Sequence, residues 1–302
     1  MYKIPYDATR KSLYHPGEAV NFFQFGSSQT ATEAALCAEM SRLVYVKQKD
    51  RLIAYLDRAG FDLHWSMGYD NALGTQLFIA KIRPNPGNPL IVVVAFRGTE
   101  PDDPSDLVAD ATVIKIPWFD ASGAQLGEVH KGFADALLND PINGNILAQL
   151  SSQLNDLAKQ SPRVLLTGHS LGAALAILTA SCLTPLADNI HLYTFGSPRV
   201  GDPVFSEHSP KNKHDRYVDC CDLVTRVPPE TLGFQHAGIL RYINRLGQVD
   251  NSITEADISA DRQKASVAYL AKYFFLPGTV WVRKLADHSP INYLSGVAGL
   301  RS

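Results

Sequence analysis

Apolar positions along this chain fall into two rhythms that alternate. Residues 31–46 (ATEAALCAEMSRLVYV) carry Ala35, Met40, Leu43 and Val44 at helical spacing, which predicts a helix. A second helix is expected over 49–58, followed by strands over 61–67 and 75–83 that are parted by turn residues around Asn71 and Gly74. The run PLIVVVAF at 89–96 is apolar without alternation, as a central strand covered on both faces should be. A long helical pattern covers 132–160. RVLLTGHS at 163–170 is a second fully apolar strand, and the small-residue helix LGAALAILTASCL follows it at once. HLYTFGS at 191–197 and RYVDCCDLV at 216–224 read as further strands. Strands alternating with helices predict an α/β fold with a doubly wound, mostly parallel sheet and helices on both faces. In such a sheet the site lies beyond the C-terminal ends of the strands. No repeat, low-complexity tract or linker divides the sequence, so residues 1–302 read as one domain.

Composition narrows the class. Of 302 residues, 45% are hydrophobic and 19% charged, a globular balance rather than a disordered one. A formal net charge of −2 without a Lys/Arg cluster gives no reason to expect a nucleic-acid partner. The N-terminal stretch MYKIPYDATRKSLYHPGEAV has neither an apolar core nor a small-residue cleavage site, so no cleaved signal peptide is expected. No apolar run is long enough to span a bilayer. The expected location is the cytoplasm, or outside the cell by export without a cleaved signal. Cys37, Cys182, Cys220 and Cys221 are too few for a disulfide framework and show no CxxC spacing, so they read as buried small hydrophobes. No HxH, HExxH or carboxylate cluster suggests a metal, and no cofactor is expected.

The chemistry starts at Gly168-His169-Ser170-Leu171-Gly172. A serine hydroxyl is a weak nucleophile that must be exposed and aimed at a base. A tight strand-to-helix turn does this, and its crowding demands glycine on both flanks. The pentapeptide alone is a weak signal. Here a strand-like segment precedes it and a small-residue helix follows, whose N-terminus favours developing negative charge. A tetrahedral oxyanion needs two backbone donors: one is the residue after the nucleophile, Leu171. The other is expected just past a second central strand, where VVVAF runs into Arg97-Gly98-Thr99-Glu100 and Thr99 offers both N–H and hydroxyl. The plain alternative for that segment is an ordinary turn.

Together the motifs resemble the class 3 lipases, the family of the fungal triacylglycerol lipases. The resemblance rests on AFRGT at 95–99, VHKGF at 129–133, TGHSLGAALA at 167–176, YTFGSPRVGDPVF at 193–205, DLVTRVPP at 222–229, GFQHAG at 233–238 and ADHSPINYL at 286–294, in that order. It implies an α/β-hydrolase fold with a mobile lid, Ser170 as nucleophile, Asp222 as acid, His288 as base, and Thr99 and Leu171 as oxyanion donors. The chain departs from the family pattern in an acidic segment after FRGT, at 100–110 where the lid is expected, and in extra residues before His288.

Chain order reaches the same acid and base. The order in this fold is serine, acid, histidine. Asp202, Asp219 and Asp222 are the candidate acids: Asp202 follows a glycine and reads as a turn residue, Asp219 lies inside a strand, and Asp222 stands where that strand ends. Of nine histidines only His236 and His288 follow Asp222. His236 lies in a strand-like stretch and reads as a packed core residue, whereas His288 sits on a loop before a helix start. His130 and His169 flank the site in sequence and read as scaffolding.

The expected activity is therefore hydrolysis of a carboxylic ester through an acyl-enzyme, with an acylglycerol as substrate, met in solution or at a lipid–water interface. A phospholipase A1, a broad carboxylesterase and a non-catalytic binding module on the same fold are the rivals. The aromatic-rich stretch 266–282 (SVAYLAKYFFLPGTVWV) reads first as a core helix and strand, and second as a lipid-docking or acyl-binding surface. In the acidic segment, only Leu107 and Val108 could add an apolar face to it.

Overall fold

In the computed structural model, residues 3–9, 29–69, 74–82, 90–98, 113–183, 188–208 and 213–302 are described. The two unbroken apolar runs become adjacent central strands. β3 (Ile91–Phe96) pairs in parallel with β6 (Arg163–His169), from Ile91 opposite Arg163 to Phe96 opposite Gly168. Alternate residues of each face opposite layers: Val93, Ala95 and Leu165 join one hydrophobic cluster, and Val92, Val94, Phe96, Val164 and Leu166 join the other. Both faces are covered, which is why neither strand alternates in polarity.

Parallel pairing continues from β6 to β7 (Ile190–Phe195), β8 (His214–Asp219) and β9 (Ile239–Ile243). Antiparallel strands close the edges: β1 (Phe61–Met67) and β2 (Leu77–Ile82) beside β3, and β10 (Val249–Asp250) beside β9. The eight-stranded order is β1-β2-β3-β6-β7-β8-β9-β10, with β4 (Lys115–Phe119) and β5 (Gln125–His130) forming a separate hairpin. One face is covered by α1 (Gln29–Leu43) and the C-terminal helix α9 (Pro290–Val297). The other is covered by α3 (Lys131–Leu138), α4 (Ile146–Ala158) and α5 (Leu171–Cys182). The α2 helix (Lys49–Arg58) packs beside β1.

The long helical pattern over 132–160 is two helices, not one. Pro141 disfavours helical backbone at the residue before it. Asp140 then offers its carboxylate to the backbone N–H groups of Ile142 (3.0 Å) and Asn143 (2.7 Å), closing a turn. Asn145 restarts the helix by accepting from the N–H of Ala148 at 2.9 Å. The strand expected to reach residue 224 ends at Asp219, because the chain turns back through Cys220 and Cys221.

The stretch 266–282 is core only in part: Tyr269 and Val280 are buried in a small cluster with Ala8 and Ala286. Helix α7 (Glu255–Tyr273) buries only Ile258, Ala265 and Tyr269, and Phe274, Phe275 and Trp281 beyond it are 60%, 89% and 77% exposed. A four-residue helix, α8 (Arg283–Ala286), then leads to α9. All four cysteines are buried free thiols. No helix among the described residues is long and apolar enough to cross a membrane.

Candidate active site

Ser170 occupies the turn between β6 and α5 with φ 59° and ψ −129°, a conformation that a residue with a side chain reaches only at a cost. Its backbone is tied on both sides: Ser170 N–H donates to the Phe195 carbonyl (3.0 Å), and its own carbonyl accepts from Ala173 N–H (3.0 Å). The flanking glycines answer to space. A Cβ on Gly168 would sit 2.2 Å from the carbonyl oxygen of Gly172, and one on Gly172 would sit 2.2 Å from that of Phe96. The turn thus packs directly against the end of β3. Leu171 is the first residue of α5, so its N–H has no carbonyl one turn back to bond.

The register of β3 on β6 also carries the segment after Phe96 to Ser170. Gly98 lies so close that a Cβ there would be 2.9 Å from the Ser170 Cβ. Gly98, Leu171 and Leu175 share the wall of a cavity of about 540 Å³, with Gln76, Arg97 and Asp135 as polar lining. Thr99 and the acidic segment 100–110 lie outside the described residues.

His288 comes from the short loop between α8 and α9, with Pro290 opening the latter helix. Its Nε2 accepts from the Ser170 hydroxyl at 2.9 Å, and its Nδ1–H donates to Asp222 Oδ2 at 2.9 Å. Asp222 stands just past β8. It also accepts from the Tyr293 hydroxyl on Oδ2 (2.5 Å) and from the Val224 N–H on Oδ1 (2.9 Å). Burial and the adjacent Asp222 charge push the Tyr293 phenol well above its usual range, so it keeps its proton and donates. Each hydrogen bond to a buried carboxylate of this kind contributes about 1.5–3 kcal/mol. Ser170, Asp222 and His288 are all at or below 1% exposure.

His169 supports His288 from behind. Its Nε2–H donates to the main-chain carbonyl of His288 (2.7 Å), which leaves Nδ1 to accept from the Tyr45 hydroxyl (2.8 Å). Burial, then the proximity of His288, holds its pKa well below the ordinary histidine value, so the ring is neutral.

The structure therefore brings Ser170, Asp222 and His288 into one hydrogen-bonded line, with Leu171 beside it. The other candidates lie elsewhere. Asp219 is buried at the end of β8 and pairs with both Nη groups of Arg301. Asp202 accepts from the Phe205 N–H (2.8 Å) and starts a short helix over Pro203–His208. His236 is not in a strand; it precedes β9 and donates from Nε2 to the Thr225 carbonyl (2.7 Å). His130 caps α3 by accepting from the Gly132 N–H. Tyr293 and Tyr45 escaped the sequence reading, since nothing separates a tyrosine in an apolar segment from an ordinary core residue. An imidazole that accepts from a serine hydroxyl and donates to a buried carboxylate can take up that hydroxyl's proton.

A mostly parallel sheet with helices on both faces and a serine lifted on a strand-to-helix turn defines an α/β-hydrolase fold. Residues 93–232, just under half of the chain, match the class 3 lipase family. The chain is 36% identical over 156 residues to the lipase of Rhizomucor miehei, covering 49% of this chain and 40% of that protein. It is 27% identical over 259 residues to triacylglycerol lipase OBL1 of Arabidopsis thaliana, covering 68% of this chain and 48% of that protein. The chain thus spans about half the length of these curated relatives. The solved structure of Rhizomucor miehei triacylglyceride lipase superposes with a TM-score of 0.57 at 26% identity, over 88% of this chain and 95% of that one. A triacylglycerol lipase described as having its catalytic centre formed by a serine protease triad superposes with a TM-score of 0.57 at 25% identity, over the same shares of the two chains.

Proposed function

We propose that this chain hydrolyses carboxylic esters, and acylglycerols in particular, through a covalent acyl-enzyme on Ser170. The observation that carries this reading is the line from Ser170 Oγ through His288 to Asp222, with both links at 2.9 Å. His288 takes the Ser170 proton as Oγ attacks the ester carbonyl carbon. The backbone N–H groups of Leu171 and Thr99 receive the oxyanion. His288 then protonates the departing alkoxide, activates a water that attacks the acyl-enzyme, and returns a proton to Oγ as the acid leaves. Asp222 stays ionised and holds the ring in the tautomer that accepts at Nε2. Because Ser170 is fully buried, a covering group must move aside before an ester reaches it.

The acylglycerol assignment draws on the relatives described as triacylglycerol lipases. A second feature supports meeting that substrate at a lipid–water interface. Phe274, Phe275, Leu276 and Trp281 form an exposed apolar tip between exposed Lys272 and Lys284. No acidic residue occurs over 262–286. Aromatic side chains flanked by lysines suit the boundary of a lipid phase with anionic headgroups.

The test is labelling with a fluorophosphonate, alongside rates on triacylglycerol emulsion, phospholipid and a short p-nitrophenyl ester. Rapid labelling of Ser170 is expected. Ser170→Ala should lower kcat on the best substrate by about 10⁴–10⁶ without loss of fold. A folded Ser170→Ala variant with a tenth of wild-type activity would remove the assignment. Faster turnover of phospholipid, or of the short ester alone, would replace the acylglycerol with that class.

A further inference from the structure

A second cavity, also of about 540 Å³, lies apart from Ser170. Its walls come from β8 and β9, the first half of α7, and the chain between Asp222 and β9. Four guanidinium groups line it, those of Arg199, Arg216, Arg226 and Arg262. Glu230 and Glu255 are the carboxylates on the same wall, and His236 stands beside them. Burial and the neighbouring Arg216 hold His236 well below its ordinary pKa, so it adds no charge at neutral pH. The lining therefore carries more positive than negative charge.

Two of these arginines are committed to the protein. Arg199 donates to the carbonyls of Arg226 (2.7 Å) and Pro228 (3.1 Å) and to Glu230 (2.6 Å). Arg262 donates from Nε to the Cys220 carbonyl (2.7 Å), and its Nη groups make no hydrogen bond among the described residues. Arg216 differs from both. It is 9% exposed, yet it makes no hydrogen bond or ion pair with any described residue, and its Nε is buried without a partner. Buried cations are paired almost without exception, because desolvation penalises the charged form. Burial, with the Arg199 charge second, pushes the Arg216 pKa down to about 10, which still leaves it cationic at neutral pH. The strand places it there: Arg216 and Val218 are alternate residues of β8 and both face this cavity.

We propose that this cavity is a binding site for a phosphate-group oxyanion, seated on the Arg216 guanidinium, with the Nη groups of Arg262 and the side chain of Arg226 closing around it. A planar fork with free N–H groups matches two oxygens of a tetrahedral anion. The excess of guanidinium over carboxylate suits a dianion better than a single carboxylate. The site also touches the loop that carries Asp222. Thr225, in the cavity wall, donates its hydroxyl to the Asp222 carbonyl (2.9 Å) and accepts at its own carbonyl from His236 (2.7 Å). An occupant bound to Arg216 therefore stabilises the folded protein.

The probe is inorganic phosphate at pH 7.5, followed by calorimetry and thermal melting, against sodium chloride at matched ionic strength. Wild type should show saturable one-to-one binding and a phosphate-specific rise in Tm. Arg216→Gln should weaken binding by about tenfold or more, the loss expected when a charged hydrogen-bonding partner is removed. Absence of saturable binding to wild type, or undiminished binding to a folded Arg216→Gln variant, overturns the proposal. Should that variant not fold, phenylglyoxal modification of wild type read by mass spectrometry decides the matter. Protection of Arg216 by phosphate supports the site, and equal modification with and without phosphate overturns it. Flotation with phosphatidylcholine vesicles, with and without phosphatidic acid, assigns the source. Arg216-dependent recruitment to phosphatidic acid points to a lipid headgroup. Phosphate binding without such recruitment points to a soluble phosphate compound.

Discussion

His214 offers a test of the packing around the acid loop that is independent of any enzymatic assay. It is 1% exposed at the start of β8, and Nε2 lies 2.9 Å from the Thr194 hydroxyl. Its ring fills the space over Gly238, where an added Cβ would come within 2.4 Å of Nδ1. Burial first, and the Arg216 charge second, push its pKa down to about 3. The folded protein thus leaves this ring neutral at a pH where the unfolded chain, with an ordinary value near 6.5, protonates it. Stability from this residue is complete well above pH 6.5 and is lost progressively as the pH falls through that value and below it. Linkage gives a loss that is still small at pH 6.5 and reaches about 2 kcal/mol at pH 5, a large part of a typical total of 5–15 kcal/mol. Other groups titrate in the same range, so the clean measurement is a difference. His214→Gln keeps a neutral side chain that can still reach Thr194 but cannot titrate. Urea unfolding of wild type and variant at pH 8, 6.5 and 5 gives the gap between them at each pH. That gap should shrink by about 2 kcal/mol between pH 8 and pH 5, to the advantage of the variant. Parallel stability curves would refute the reasoning and show that His214 titrates in the folded state as freely as in water.

The two histidines that follow Asp222 should separate cleanly. His288→Ala should cost activity on the scale of Ser170→Ala, whereas His236→Ala should keep kcat within about tenfold and lower Tm, because the Thr225 carbonyl loses its donor. An active His288→Ala beside a dead but folded His236→Ala would reverse the base assignment. Replacing Phe274 and Phe275 together with Ser should leave Tm almost unchanged, since both are mostly exposed, and should depress activity on emulsified long-chain ester far more than on a soluble short ester. Equal loss on both substrates with a large fall in Tm would remove the interfacial role.

The residues of the hydrogen-bonded line were legible because their signals are local or ordinal. Ser170 is marked by five residues and the elements on either side. Asp222 and His288 follow from chain order once the strands are placed. The break at Pro141 is also local, but a helical period read over the whole 132–160 window averages it away. The partners that hold that line were not legible. Tyr293 meets Asp222 across 71 positions and Tyr45 meets His169 across 124, and either tyrosine could pass for core. Arg216 looks from the sequence like any polar residue on a strand. Its want of a partner among the described residues depends on where β9 and α7 come to rest. The aromatic stretch 266–282 was ambiguous for a related reason: hydrophobicity shows what a side chain prefers, not whether the fold has room to bury it. Here Tyr269 is buried, and Phe274 and Phe275, past the helix end, are left outside.

The hydrogen bond from His169 to the carbonyl of His288 bears on how tolerances accumulate in the site. Ser170 and His288 lie 118 positions apart in the chain, on a strand turn and on an interhelical loop. Were each located only through its own element, small displacements of sheet and helices would add in the gap between them. His169 is covalently the neighbour of Ser170 and grips the main chain of His288 directly, so both are measured from one datum, as two holes are drilled from a single reference edge. The middle letter before the serine thus sets alignment. Replacing it by a residue of similar volume that cannot donate would loosen the distance between Oγ and Nε2 while leaving Ser170, His288 and Asp222 all present.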